Sequence, residues 1–329
     1  MRIAINGTGR IGRLLFRRLI TREDIEIVAV NDIMNADQLA YLLKYDSIYG
    51  PFRHKLDQDG KTLHVDNKSV SILQQKDPSQ LPWKAMGVDL VLECSGRFTS
   101  KALAHIHIEA GAKRVILSTT GTPEIPLYIY GYNHPEISDA ETILSPGGCM
   151  TNCSTPVLDV LQQIGWESAQ LHILHSYTSR QELIDTASKD FRRGRAAAES
   201  IIPVEIDLFA SLDRLFPNHA GDITTISTRV PVANGALADF TVLLKEKVSA
   251  REINELFKSA AVNKYKNIID YTEDPIVSLD VKEDTHSCIV DGSLTSVAGR
   301  QLKLFAFFDN EYGYTSRIID WMEVYRGML

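Results

Sequence analysis

Ile3-Ala4-Ile5-Asn6-Gly7-Thr8-Gly9-Arg10-Ile11-Gly12 stands at the start of the chain, and Glu26-Ile27-Val28-Ala29-Val30-Asn31-Asp32 follows it. The first apolar residues read as a short buried strand. The G-x-G-x-x-G run reads as a turn into a helix, because Ile11, Leu14, Leu15 and Leu19 recur at helical spacing. The second stretch reads as another strand with an acid at its tip, about 20 residues past Gly12. Strand, glycine turn, helix, strand and acid together make a dinucleotide-binding unit. Gly7 allows the tight turn, Gly9 the approach of a pyrophosphate, and Gly12 the close packing of helix on strand. The helix opens at Arg10 and Ile11, whose N–H groups are expected to hold the pyrophosphate. Asp32 is expected to accept from a ribose hydroxyl and to repel a 2′-phosphate.

Further strands are expected at Val88–Glu93, Arg114–Leu117, Tyr128–Tyr130 and Thr142–Leu144. Ligands of open parallel sheets bind at the carboxyl ends of the strands. Ser95 and Ser118 follow two of those ends and suit a cofactor lying there, although both residues are also ordinary turn formers. Lys76 lies in a polar loop, as a solvated charge or a cofactor contact.

The 329 residues suffice for two domains. With 44% hydrophobic and 23% charged residues the composition is that of a soluble globular protein. A net charge of −7 argues against nucleic-acid binding. No apolar run approaches the roughly 18 residues of a membrane span. With a strand beginning within two residues of Met1, no signal peptide is expected, and four cysteines are too few for a disulfide scaffold. A cytoplasmic protein with reduced thiols is expected. No metal site is expected.

The middle of the chain reads Ser145-Pro146-Gly147-Gly148-Cys149-Met150-Thr151-Asn152-Cys153. Val157, Val160, Leu161 and Ile164 repeat at helical spacing beyond it, which puts Cys149 at a helix N-terminus. There the dipole favours a thiolate. From Ala169 the texture changes to successive strands: Ala169–Ser176, Thr224–Val230, Ala238–Leu244 and Leu302–Phe308. Few helices lie between them, so a mainly antiparallel sheet is expected. Ser249 and Glu252 form a capping box. The C-terminal segment around Ser316–Tyr325 reads as a helix returning to the first domain. His172 and His175 face opposite sides of their strand, and the pattern alone does not choose between them. Arg180, Arg192, Arg193 and Arg195 mark the segment up to Pro203 as a solvated loop, or as a phosphate or subunit contact.

Taken together, Asn6–Arg13, Val30–Asp32, Cys149–Pro156, His175–Thr178, Arg192–Pro203, Arg229–Pro231 and Asp309–Tyr314 resemble phosphorylating glyceraldehyde-3-phosphate dehydrogenase over essentially the whole chain. Erythrose-4-phosphate dehydrogenase, of the same superfamily, is the near rival. The resemblance implies a Rossmann-type parallel-sheet domain over 1–148, joined by a C-terminal helix 312–329. It implies a catalytic domain over 149–311. It implies Cys149 as nucleophile, His175 as base, and Asn310 as the residue orienting the nicotinamide. Arg10, Ile11, Asp32, Ser95 and Ser118 match cofactor contacts, and Thr178 and Arg229 match the pocket of the substrate's own phosphate. The Arg-rich segment matches a loop that lines a neighbour's cofactor site in a homotetramer. The implied reaction is NAD-dependent oxidation of a phosphorylated aldehyde through a Cys149 thioester, which phosphate or water then releases. A binding or regulatory homologue without turnover is the alternative from another class.

The departures cluster around the acyl acceptor. The family usually has Ser-Cys-Thr where this chain has Gly148-Cys149-Met150, and a Thr-Gly pair where it has Ile206-Asp207. These changes imply a weak inorganic-phosphate site and release largely by water. Arg195 and Thr151 are what remains to hold phosphate. Arg180 replaces an Asp beside the substrate phosphate. Thr186-Ala187 replaces Leu-Pro, which resembles NADP-tolerant forms, while Asp32 favours NAD. NAD is expected, with some NADP use.

Overall fold

The structure is a computed structural model that describes residues 1–328 and forms two compact units. The first comprises Met1–Gly147 together with the chain from Arg317, and the second Gly148–Ser316.

The first unit begins β1 (Arg2–Asn6), α1 (Arg10–Leu19), β2 (Glu26–Asn31), α2 (Ala36–Lys44). It continues with β3 (Leu56–Gln58), β4 (Thr62–Val65), β5 (Lys68–Leu73), α3 (Trp83–Met86), β6 (Leu90–Glu93), α4 (Lys101–Glu109), β7 (Arg114–Leu117) and β8 (Ile143–Leu144). The sheet order is β3-β4-β5-β2-β1-β6-β7-β8. Pairing is parallel from β5 to β8, and β3, β4 and β5 add an antiparallel extension. The strand order reverses at β1, which lies between β2 and β6, so the carboxyl ends there form the topological switch point. Helix α1 buries Leu14, Leu15, Phe16 and Leu19. Each such side chain contributes about 1.5–3 kcal/mol.

Tyr128–Tyr130 is not a strand. Leu127 makes a single bridge to Ser145, and the chain then turns. The Asn133 amide explains this: it accepts from the Ile129 N–H at 2.6 Å and donates to the Leu127 carbonyl at 3.1 Å, taking groups a ladder would use. Tyr128 and Tyr130 instead pack on Trp321, with ring centroids 5.9 and 6.1 Å away.

The second unit runs α5 (Cys149–Gln162), β9 (Trp166–Ser176), β10 (Ile202–Val204), α6 (Leu208–Leu215), β11 (Ile223–Val230), β12 (Ala236–Leu244) and α7 (Ala250–Val262). Then come β13 (Ile269–Thr272), β14 (Cys288–Asp291), β15 (Ser296–Ala298), β16 (Gln301–Phe308) and α8 (Tyr312–Gly327). Its sheet order is β10-β11-β9-β12-β16-β14-β13, with β15 beside β16. Most pairs are antiparallel; β9 with β11 and β13 with β14 are parallel. Ser249 caps α7 in the full box with Glu252. The first turn of α8 stays with the second unit, because Asp309 Oδ1 at the end of β16 accepts from the Glu311 and Tyr312 N–H groups.

Among the described residues, no helix is long and apolar enough to cross a membrane.

Candidate active site

In the first unit the glycines of the turn differ in what they allow. Gly7 adopts φ +92°, and a Cβ there would lie 2.4 Å from the Ser95 nitrogen. A Cβ on Gly12 would lie 2.0 Å from the Gly7 carbonyl oxygen, so α1 rests directly on the turn. A Cβ on Gly9 would meet nothing within 4 Å. The backbone there faces open space at the N-terminus of α1, where Arg10 and Ile11 begin the helix and anion binding is favoured. Asp32 is already oriented: Oδ2 accepts from the Thr8 N–H at 2.6 Å and the Thr8 hydroxyl at 2.8 Å, and Oδ1 from the Met34 N–H at 3.0 Å. A carboxylate has about four acceptor positions, so one is left for a ribose hydroxyl. These features fit a dinucleotide. The Arg10 guanidinium pairs with Asp46. Lys76 is exposed in the loop after β5.

Behind the same strand ends runs a buried polar chain. The Trp83 indole donates to His107 Nδ1 at 3.0 Å. Indole N–H is only a donor, so Nδ1 accepts and Nε2–H donates to Glu93 Oε2 at 3.0 Å. Glu93 also accepts from the Asn6 amide and from the Ser95 N–H and hydroxyl. Asn6 Oδ1 accepts from Asn31 Nδ2 at 2.6 Å, and Asn31 Oδ1 from the Gln75 N–H at 2.9 Å. Ser118 donates its backbone N–H to the Glu93 carbonyl at 2.9 Å. Glu93 escaped the sequence reading, although an acid closing the apolar run of β6 signals a buried polar partner.

In the second unit Gly148 is the N-cap of α5 and Cys149 its first residue. Cys149 Sγ lies 3.6 Å from His175 Nε2. His175 lies near the end of β9, in register with Arg229 of β11 and Ala236 of β12. Its Nδ1 donates to the Ser176 carbonyl at 2.7 Å. That bond assigns the tautomer, leaving the Nε2 lone pair aimed at sulfur. His172, on the opposite face, bonds the Thr228 hydroxyl at 2.7 Å. Asn310 follows β16, and its Oδ1 accepts from the Ser176 hydroxyl at 3.1 Å and the Gly235 N–H at 2.9 Å.

Burial pushes the Cys149 thiol up to about 11, against the lowering pull of the Arg229 charge and the Met150 and Cys149 N–H groups. Burial pulls His175 down to about 3, and Arg229 acts in the same direction. Taken singly, each group is held neutral. Passing the proton from Sγ to Nε2 creates both charges in contact, with the helix N-terminus supporting the anion. Cys153, one turn along, is buried in contact with Cys288, and its thiol is pushed well above the usual range.

Arg229 is buried, and its Nη1 donates to the Ser176 carbonyl at 3.4 Å. Thr178 donates through N–H and hydroxyl to Gln181 Oε1 at 3.0 and 2.9 Å. The structure thus gathers Cys149, His175, Asn310 and Arg229 around Ser176, with Thr178 two residues beyond it. Ser176 and Gln181 were not read from the sequence, since a Ser and a Gln near a strand end carry no distinguishing pattern. Thr151 is buried in the first turn of α5 and Met150 is half-buried. Arg195 is not part of this group: it is exposed and pairs with Asp185 at 3.0 Å. Asp207 is exposed at the N-terminus of α6.

One unit thus carries a dinucleotide-type turn, and the other a thiol–imidazole pair at a helix N-terminus. Residues 1–101 match the family model described as glyceraldehyde 3-phosphate dehydrogenase, NAD binding domain, and residues 148–310 that of its C-terminal domain. Glyceraldehyde-3-phosphate dehydrogenase 2 of Bacillus subtilis (strain 168) is 41% identical over 324 residues, covering 97% of this chain and 95% of that one. The chain belongs to the glyceraldehyde-3-phosphate dehydrogenase family and is an NAD-dependent dehydrogenase.

Proposed function

We propose that this enzyme oxidises glyceraldehyde 3-phosphate through a thioester on Cys149. The observation that carries this is the 3.6 Å contact of Sγ with His175 Nε2, whose lone pair the Nδ1 hydrogen bond directs at sulfur. His175 takes the thiol proton, and the sulfur forms a bond to the aldehyde carbon. The Cys149 N–H at the helix start and the imidazolium stabilise the resulting oxyanion. His175 returns that proton to the oxyanion, which makes the hemithioacetal hydroxyl, and the neutral imidazole then takes it back as the carbon gives up its hydride. NAD, when bound, supplies the two-electron acceptor; Gly7, Gly9, Arg10, Ile11, Gly12, Asp32, Ser95 and Ser118 would hold it, with Asn310 orienting the nicotinamide. Lys76 is a peripheral contact at most. Thr178 and Arg229 bind the phosphate of the substrate.

Water rather than phosphate releases the acyl group. Gly148 and Met150 offer no hydroxyl, Arg195 is engaged by Asp185, and Asp207 is a carboxylate at the position where the family resemblance puts a Thr-Gly pair. Each missing charged hydrogen bond costs roughly 1.5–3 kcal/mol. Erythrose-4-phosphate dehydrogenase, with hydrolytic release, is the second reading that these residues favour. Omitting inorganic phosphate is expected to change turnover by less than about 3-fold, an energetic difference well below one such bond. Turnover is measured with glyceraldehyde 3-phosphate and with erythrose 4-phosphate, with identification of the acid product. A strict phosphate requirement contradicts the hydrolytic route, and no turnover of either aldehyde contradicts the whole reading. Gly148→Ser is expected to raise phosphate dependence, because a Cβ there meets nothing within 4 Å and φ is −104°.

Asp32→Ala is expected to raise the ratio of kcat/KM for NADP over NAD roughly 10- to 100-fold, the size of one charge-assisted hydrogen bond. An unchanged ratio removes Asp32 from the ribose site.

A homotetramer fits the Arg-rich segment, where Leu183, Ile184, Phe191 and Ile201 are 65–87% exposed. Several large exposed apolar side chains on one segment suit an interaction surface. Sedimentation should give four copies, and a monomer would refute this. A cytoplasmic location suits four free cysteines, and cell fractionation tests it.

A further inference from the structure

The turn after β9 gathers more positive charge than it neutralises. Arg180 donates its backbone N–H to the Thr178 hydroxyl at 3.3 Å, and the residue is exposed. The Glu182 N–H donates to the Arg193 carbonyl at 3.3 Å, and the Ala197 N–H to the Glu182 carbonyl at 2.9 Å, which ties the turn to the Arg193 segment. Arg193 and Arg180 both lie close enough to Arg229 for their charges to act on it. Asp190 pairs with Arg193 at 3.0 Å. No carboxylate among the described residues pairs with Arg180 or Arg229.

Three buried nitrogens in this neighbourhood lack partners: Arg229 Nε, Gln181 Nε2 and Arg193 Nη1. Arg229 and Gln181 are each only 7% exposed. All three are donors. Leaving a buried donor unmet costs about 1–3 kcal/mol, more on a charged group, so the arrangement is built for an oxygen-rich anion. With Asp190 matched to Arg193, two positive charges remain, which balances the roughly −1.5 to −2 charge of a phosphate monoester at neutral pH.

We infer that Arg180, with Arg193 and Gln181, extends the Thr178–Arg229 pocket into a site for a doubly ionised phosphate ester, and that Arg180 sets the preference for that dianion over aldehydes of lower charge. This rests on the reading that the substrate is a phosphorylated aldehyde. Arg forks match phosphate oxygens in pairs, and an exposed Arg at the rim loses little when the pocket is empty.

The test measures kcat/KM for glyceraldehyde 3-phosphate and for plain glyceraldehyde in the parent, Arg180→Ala and Arg180→Lys. The ratio of the two constants is expected to fall about 10- to 50-fold in the Ala variant, through KM of the phosphorylated substrate, and to recover in part with Lys. Inorganic sulfate should compete with the phosphorylated aldehyde in the parent and lose affinity by a similar factor in the Ala variant. A ratio and a sulfate inhibition constant both within 2-fold of the parent overturn the inference. If the parent shows no preference for the phosphorylated aldehyde, the substrate reading falls, and sulfate protection of Cys149 from alkylation, compared between parent and variant, still decides whether Arg180 holds an anion.

Discussion

His175→Asn is expected to lower turnover about 10²- to 10⁴-fold, the usual contribution of a general base. The same variant separates two ways of making a thiolate. In the parent, Sγ can hand its proton to Nε2 at 3.6 Å, so Cys149 is expected to be alkylated by iodoacetamide near neutral pH. Asn has no such acceptor. The thiol must then ionise alone, and burial holds it up at about 11. A raised thiol pKa means the reactive anion appears only as pH rises, so alkylation of the variant should move to the alkaline side. At pH 7 its rate should drop by roughly 10²-fold or more, following the thiolate fraction. His172→Asn serves as the control, since its ring faces away and bonds Thr228. Identical alkylation profiles for parent and His175→Asn would remove the imidazole from thiol activation.

Gly12→Ala is expected to destabilise the first unit and to weaken NAD binding together. Its Cβ would fall 2.0 Å from the Gly7 oxygen and 3.3 Å from Ile5 Cγ2. Gly7 cannot yield easily, because its φ of +92° is part of the turn and its N–H donates to the Asn31 carbonyl at 2.8 Å. Helix α1 must lift from β1, or the turn must open. Overpacking of this kind costs about 1–3 kcal/mol, and the displaced helix end should weaken NAD binding on the order of 10²-fold. Gly9→Ala provides the contrast. Its Cβ meets nothing, so Tm should stay within error while NAD affinity falls because the methyl occupies the approach to the pyrophosphate. Tm by calorimetry and Kd by titration read both variants. A Gly12→Ala protein with unaltered Tm and Kd would show that the contact is relieved at no cost.

Where a reading rested on local chemistry, the sequence was sufficient. The glycine turn, the α7 capping box and the apolar periodicity of α5 each depend on neighbours within a few residues, and each lies where its pattern placed it. What escaped depended on distant groups. Tyr128–Tyr130 has the aromatic content of a strand, but Asn133 and Trp321 compete for it. The β3–β5 extension consists of strands of 3–6 residues, and the alternation in β4 and β5 rests on Leu63, Val65, Val70 and Ile72 alone. The choice between His172 and His175 depended on which face of β9 meets α5. Spacing says only that they differ; family resemblance had to choose. Gln181 and Arg193 acquire meaning only when the turn brings them to Arg229, and no sequence interval encodes that meeting.

The Trp83–His107–Glu93–Asn6–Asn31 chain links five elements behind the mouth of the first sheet, with every hydrogen-bonding role assigned. Such wiring makes that edge stiff during synthesis of the fold, not on arrival of a cofactor. The entropy of arranging the receiving surface is therefore spent once per protein lifetime instead of once per catalytic cycle. A cofactor that must leave and return at each turnover meets a seat that does not have to be rebuilt.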